Sequence, residues 1–436
     1  MPSEVIVRLG SHAEKEYLLK TLPLFSGTFI GANLLESTPG ATVSLAWKIR
    51  SEQKSLYIDP MTYIYALDLD YITSESTGEI KKSFRSMCNE LGEPFTSIVL
   101  GEERSLRPRD FESDDDVLAI CHCAMSYQMR RMEKICKQDA QLREVAGEAV
   151  PSAVFSPYFY IPGDALSQSG EWEDVCLRII SAFGGMESAV PKHAVLCIAR
   201  KILREREKLE RLLDGVMDSG CDACWLWVSA LREEDITESE MKNLVWLVKR
   251  AKRRRFPLWN MHGGFLSALL NKHGLAGFSH SIGYGESKDV LPISGGALPS
   301  VAYHYNPLRV RCSVPDIERA FSSVGVVNAR AFHEIICDCV MCKGTLKGDL
   351  RNFRKYGEFV LKPGNVRKTQ TADSAKRCRF HFLLARKKEI DFVNEHTLIE
   401  LVANLRAVVD EYAALPREIS LRERAGALDM WTSHLG

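Results

Sequence analysis

At 436 residues the chain is too long for one small core and suits one large barrel with additions, or two domains. Hydrophobic residues at 45% and charged residues at 26% exclude wholesale disorder. The 57 basic residues balance 57 acidic ones, so nothing draws the whole protein to a polyanion and any nucleic-acid contact must come from a local patch.

No apolar run approaches the roughly 18 residues of a membrane span. The opening residues, Met1 to Tyr17, read as the start of a strand and not as a signal peptide. Thirteen cysteines without such a leader point to a reducing, cytoplasmic setting, where thiols are buried, metal-bound or reactive.

In chain order, short apolar runs predict strands at 5–9, 28–32, 56–59, 153–161, 194–198, 224–230, 257–262 and 277–281. Amphipathic stretches at 117–143, 201–217 and 238–254 lie between them as helices. About eight strands alternating with helices favour a closed (β/α)8 barrel, an α/β fold, over an open sheet. Loops are expected at 74–78, 101–116 and 294–299. The segment 343–379 is rich in Gly, Lys and Arg, lacks apolar periodicity, and reads as an insertion. Helices are then expected at 382–393 and 397–415, the second closed by Pro416. The organisation expected is a barrel over 1–330, a metal-binding subdomain over 331–415 and a tail over 416–436.

Cys337-Asp338-Cys339-Val340-Met341-Cys342 carries the strongest chemical signal. Three thiolates at C-x-C-x-x-C spacing can converge on one ion if the backbone turns sharply, and a structural zinc needs a fourth ligand. Downstream histidines are His381 and His396. Cys221 and Cys224 have C-x-x-C spacing but lead into an apolar strand. Cys121, His122 and Cys123 lie on one helix and point in different directions, so core packing explains them.

The motif opening on Cys337-Asp338-Cys339, with a short helix and then a histidine that starts a longer one, resembles the tRNA-guanine transglycosylase family, in particular bacterial and phage relatives that insert 7-deazaguanines into DNA. The resemblance implies a structural Zn2+ on Cys337, Cys339, Cys342 and His396. It also implies base exchange at the C-terminal mouth of the barrel, with DNA or tRNA and a 7-deazaguanine base as partners. Leu56-Tyr57-Ile58-Asp59-Pro60 looks like the strand bearing the acid/base carboxylate, Asp59. The run 256–264, with His262, Gly263 and Gly264, resembles the strand before the nucleophile. At the nucleophile's own position stands Ser279, followed by His280. A serine without a partnered base is a poor nucleophile. Glu286 in Gly283-Tyr284-Gly285-Glu286, or Asp289, is one replacement; Asp59 acting as nucleophile, or loss of activity, are the others.

The pair Asp59 and Glu286 is expected at one mouth, within roughly 5–10 Å, as oxocarbenium-like chemistry requires. Ser156, Tyr158 and Ser229 stand where the family reads the base. In the 343–379 segment, Arg351, Arg354, Lys355, Lys362, Arg367 and Lys368, interleaved with Phe353, Tyr356 and Phe359, are the expected nucleic-acid contacts. The basic run 249–255 falls on the opposite face. Competing readings are an inactive nucleic-acid-binding barrel in a modification or defence complex, and a base-releasing glycosidase. A homodimer is compatible with each.

Overall fold

The computed structural model describes residues 3–139, 141–142, 150–163, 169–283, 285–291, 300–361 and 368–435. Its centre is a nearly closed parallel barrel of eight staves. In order these are β1 (Glu4–Leu9), β2 (Gly27–Gly31), β3 (Ser55–Asp59), β4 (Val154–Phe155) continued by β5 (Tyr160–Ile161), β6 (Lys192–Ala199), β7 (Ala223–Ser229), β8 (Leu258–Asn260) and β9 (Gly277–Ser281), with β9 pairing back onto β1. Each of the eight runs marked in the sequence carries one stave. The fourth splits because Pro157 has no N–H to give to the ladder.

Between β3 and β4 the pairing thins to one bridge, Tyr57 to Ala153. Ser152 stitches this seam. Its amide donates to the Leu56 carbonyl (2.7 Å), and its hydroxyl accepts from the Leu56 amide (3.0 Å) and the Arg50 guanidinium (2.9 Å). β6 and β7 are buried along nearly their whole length, since the lumen lies on one side and helices on the other.

Aromatic rings fill the lumen. Trp225 stacks on Trp259 (centroids 4.6 Å) and meets Phe29 edge-on (4.9 Å), while Phe155 and Tyr57 close the layer. Glycine is required at 277 because a Cβ there would run into the Trp259 ring and the Glu4 carbonyl. Trp225 Nε1 donates to Nδ1 of His193 (3.1 Å), whose pKa burial pushes down to about 4. His280, enclosed by Phe25, Phe278 and Phe382, is pushed by burial and by Arg386 down to about 3.

Both histidines fold neutral, and the unfolded chain takes up their protons near pH 6.5. Stability is therefore full above that pH and falls as pH drops toward the folded-state values. Urea denaturation at pH 5 should show a loss of about 1–2 kcal/mol per histidine relative to pH 7. Replacing His193 with glutamine should flatten that slope; an unchanged slope would contradict it.

Beyond the barrel come a hairpin of β10 (Tyr303–Tyr305) and β11 (Val310–Cys312), then short helices, including Val340–Leu346. The segment expected as an irregular insertion is ordered over much of its length. A 3-10 helix spans Leu350–Gly357, a small hairpin joins Phe359–Val360 to Thr369–Gln370, and Ala372–Glu395 is one continuous helix. Thr371 caps that helix by accepting from the Ser374 amide. Leu398–Ala413 follows, opened by a capping box between Thr397 and Glu400. The residues expected as a tail form the helix Gly426–Leu435, which packs back on the barrel through Trp431, whose Nε1 donates to the Glu233 carbonyl (3.0 Å). Among the described residues no helix is long and apolar enough to cross a membrane. The expected loop at 294–299 lies outside the described residues.

Candidate metal centre and barrel-mouth site

Cys337 and Cys339 precede the helix Val340–Leu346, and Cys342 sits in its first turn. The Cys339 thiol caps this helix, accepting from the Cys342 amide (3.4 Å), and the Cys337 thiol accepts from the Cys339 amide (3.4 Å). These amide contacts curl the backbone so that the three sulfurs face one point. The fourth ligand atom there is Nδ1 of His381, at 3.8, 3.5 and 3.5 Å from the sulfurs of Cys337, Cys339 and Cys342. All four residues are buried, and the cluster could hold a metal ion.

The histidine is His381 and not His396, which corrects the sequence expectation. His381 lies mid-helix, on the buried stripe with Ser374, Cys378, Ala385 and Glu389. Its Nε2 donates to the His304 carbonyl (2.7 Å), which leaves the Nδ1 lone pair free for an ion, and its ring stacks on Tyr303 (4.1 Å). His396 follows the end of the same helix, with Nδ1 on the Phe392 carbonyl (2.8 Å). The helix runs unbroken through His381 to Glu395, so the short first helix that favoured His396 does not exist in this chain. Tyr303 and Tyr356 each place a hydroxyl 3.3 Å from the Cys342 sulfur. Phe353 and Tyr356, expected among the nucleic-acid contacts, are buried in this unit's core.

At the other candidate site, Asp59 ends β3 at the C-terminal mouth and is 1% exposed. Its carboxylate accepts from Arg8 (2.6 Å), the Tyr158 hydroxyl (2.7 Å) and the Met61 amide (3.0 Å). Tyr158 stacks on Tyr63 (5.4 Å), whose hydroxyl accepts from Lys288 (3.2 Å). The Lys288 ammonium also stands over Trp227 (5.0 Å). A cavity of about 580 Å³ opens here, lined by Arg8, Phe29, Met61, His262, Lys288 and Asp289 among others. That volume is ordinary for a small-molecule site. Burial, then Arg8 and Lys288, hold His262 well below its usual pKa, so its imidazole is neutral. Burial and Arg8 bring Lys288 down to about 8.

Glu286 does not line this cavity, contrary to the expectation that it meets Asp59 at the mouth. Gly285 and Ser287 on either side line the mouth cavity, while Glu286 lines a separate one of about 160 Å³ with Glu233, Arg309 and Arg311. Arg311 donates to it (3.0 Å), and so does Arg386. Burial opposes ionisation of Glu286, but the two arginines outweigh it and hold the carboxyl below its usual range. Its partners come from β11 and the helix Ala372–Glu395, and they turn it away from the mouth. Tyr284 lies outside the described residues.

The remaining expected positions divide by burial. Ser279 is fully buried and donates to the Met261 carbonyl, so it has no access to a ligand. His280 faces away from the lumen, into the aromatic contacts with Phe25 and Phe382. Ser156, also fully buried, accepts from the Val195 amide (3.1 Å). Ser229 donates to Asp289 (2.9 Å) and accepts from the Val290 amide (2.9 Å), fixing the loop after β9 against β7. Gly264 gives its amide to Glu233 (2.7 Å), which caps the helix Phe265–Leu270 from behind. Gly263 gives its own amide to the Ser279 carbonyl (2.9 Å).

Arg351 pairs with Asp349 and Arg354 with Glu318, both arginines strongly exposed, and Lys355 lies beside Arg377 in a shallow hollow. Lys368 is exposed; Lys362 and Arg367 lie outside the described residues. In the basic run, Arg250 and Arg254 are matched by Asp214 and Asp218. Cys121, Cys221 and Cys224 are buried, and none belongs to a metal cluster among the described residues. Sequence reasoning missed Arg8 and Lys288. Arg8 carries a signal in hindsight, being a lone cation among Val5, Ile6, Val7 and Leu9 on an otherwise apolar stave. Comparison with known proteins finds no family model that matches the chain and no matching curated protein.

Proposed function

We propose that this chain is a guanine transglycosylase-like enzyme that exchanges guanine for a 7-deazaguanine in DNA or tRNA, with the nucleoside in the mouth cavity and zinc in the Cys3His centre. The observation that carries the proposal is one combination in one chain. A C-x-C-x-x-C/His centre is built directly after a (β/α)8-type barrel whose mouth buries a carboxylate, Asp59, beside a ligand-sized cavity.

Zinc is supported by the donor geometry. Tetrahedral zinc with Zn–S about 2.3 Å and Zn–N about 2.0–2.1 Å implies sulfur–nitrogen edges of roughly 3.6 Å. The separations of 3.8, 3.5 and 3.5 Å agree. With four protein ligands the ion leaves no open position, so its role is structural. At the mouth, Phe29 and Met61 offer apolar faces to a planar base, and Asp59, bonded to the lining residues Arg8 and Met61, offers negative charge to an oxocarbenium-like sugar. Glu286 is not assigned a part. Asp289 is a carboxylate on the cavity wall, while Asp59 lies behind the wall on Arg8 and the Met61 amide.

A second reading is favoured by two observations, the burial of Ser279 and the capture of Glu286 by arginines. It is a nucleic-acid-binding barrel that does no chemistry. Isotope exchange separates the two. Radiolabelled guanine should pass between solution and DNA or tRNA with the wild-type chain, and Asp59→Asn should slow this by about 10²–10⁴-fold. Retention of nucleic acid without label exchange would establish the second reading.

Reversing charge at Arg351, Arg354 and Lys355 together should weaken nucleic-acid binding equally across sequences and flatten its salt dependence, as lost phosphate contacts do. A larger loss from the 249–255 run would put the binding surface on the opposite face of the barrel.

A further inference from the structure

We infer that the floor of the mouth cavity is an oxyanion seat, in which Arg8, Lys288 and His262 receive a phosphate or carboxylate group of the ligand. This deepens the transglycosylase reading, on which it rests only for which molecule carries the oxyanion.

Hydrogen bonds within the protein leave several polar atoms at the cavity unused. Asp59 has three of its roughly four acceptor sites taken, by Arg8 Nη2, the Tyr158 hydroxyl and the Met61 amide. Asp289 accepts from Ser229 and from the Leu291 amide (3.1 Å). What is left over is mostly donor capacity. Arg8 Nη1 is buried without a partner, and the ring of His262, a residue only 6% exposed, has nothing beyond a loose approach to the Gly285 backbone. Lys288 spends one N–H on Tyr63, and an ammonium has three.

Burying unused donors is costly unless a ligand satisfies them. Two cations in one low-dielectric pocket repel each other, and an oxyanion between them relieves that repulsion while accepting their hydrogen bonds. The groups facing Lys288 are Arg8 from β1, Asp59 from β3, Tyr63, Cys197 from β6, Trp227 from β7 and His262 after β8, with Asp289 next to it in the chain. Of these only Asp59 and Asp289 are carboxylates; Asp59 already pairs with Arg8 through Nη2 and Asp289 is held by Ser229 and the Leu291 amide, so the Lys288 charge and Arg8 Nη1 are left for a ligand. The oxyanion has two possible sources, a phosphodiester of a polynucleotide or an acidic group on a small molecule.

Calorimetry on the full zinc-loaded chain tests this with inorganic phosphate, acetate, guanosine and guanosine 5′-monophosphate. Phosphate should bind, and the monophosphate should bind at least about tenfold more tightly than guanosine. Lys288→Met should remove that advantage, and Lys288→Arg should restore it. The Met variant should fold, because the Lys288 backbone carbonyl, which receives Trp227 Nε1 (2.9 Å) and the Ala230 amide (3.0 Å), does not depend on its side chain. With wild type, phosphate affinity should fall as pH rises through about 8, where Lys288 loses its charge, and the Arg variant should lose that dependence. Acetate binding as well as phosphate points to a small acidic ligand. Phosphate alone, together with a short oligonucleotide that competes for it, points to a phosphodiester. Equal affinity for guanosine and its monophosphate, or phosphate binding untouched in Lys288→Met, overturns the seat. Because these readouts need no turnover, the seat can fail while base exchange stands, and the reverse.

Discussion

Replacing His381 with alanine is expected to take the metal content from about one ion per chain to near none and to unfold the region after residue 331, whereas His396→Ala should leave both unchanged. Structural zinc contributes roughly 10–16 kcal/mol of apparent binding free energy in small domains, and that energy is available for folding only when the ligand set is complete. Here the centre joins the helix Val340–Leu346 to the helix Ala372–Glu395, and Tyr303, Phe353 and Tyr356 pack around it. Cys339→Ser should fail in the same way, since it removes both a ligand and the cap of the first helix. Metal analysis with circular dichroism of the three variants reads this directly. Full metal retention in His381→Ala, or loss only in His396→Ala, would contradict the assignment.

Arg386→Met is expected to cost about 3–5 kcal/mol, the size of effect seen when one partner of a buried ion pair is removed. Arg386 is fully buried and pairs with Glu389 (2.6 Å) and Glu286, so its loss strands Glu389 in the interior and leaves Glu286 with Arg311 alone. His304 (2.7 Å from Glu389) and Arg309 (3.9 Å) soften the loss without replacing the guanidinium. Burial disfavours the charged form of Glu389, yet Arg386 and His304 bring its pKa down to about 2. A folded-state value below the unfolded one means stabilisation that is full above about pH 4.5 and lost as pH falls toward 2. The stability gap between variant and wild type should therefore be widest near neutral pH and narrow as pH falls. Urea melts between pH 7 and 3 measure both effects, and equal stability of the two proteins across that range would refute them. A double replacement with Glu389→Gln should recover part of the loss, because it removes one stranded charge.

The barrel was legible because its staves are buried on both faces and read as continuous apolar runs between amphipathic helices. β6 and β7 are the plainest instances. The three cysteines were legible because their spacing is chemically unusual. The fourth ligand was not, because a histidine that opens a helix and one on the buried stripe of a longer helix look equally suitable until the helix bounds are known. His381 lies 39 residues from Cys342 in sequence, and no local pattern spans that gap. Glu286 was misplaced for a related reason. Its partners Arg311 and Arg386 come from β11 and from the helix Ala372–Glu395, and only tertiary packing brings them to the loop after β9. Lys288 was passed over because a lone lysine in a polar loop ordinarily reads as solvated. Its burial depends on Tyr63 and Trp227, which come from other strands' ends.

The central claim is that the mouth of this barrel exchanges a purine on a nucleic acid. It is tested most directly by digesting DNA and tRNA to nucleosides after incubation with the zinc-loaded chain and a panel of 7-deazaguanines, then analysing them by mass spectrometry. The proposed function predicts a new deazaguanosine or deoxydeazaguanosine in one of the two nucleic acids, matched by released guanine and absent with Asp59→Asn. Unchanged nucleosides in both, with nucleic acid still bound and the mouth cavity still taking a ligand, would contradict it and leave a barrel that binds without reacting.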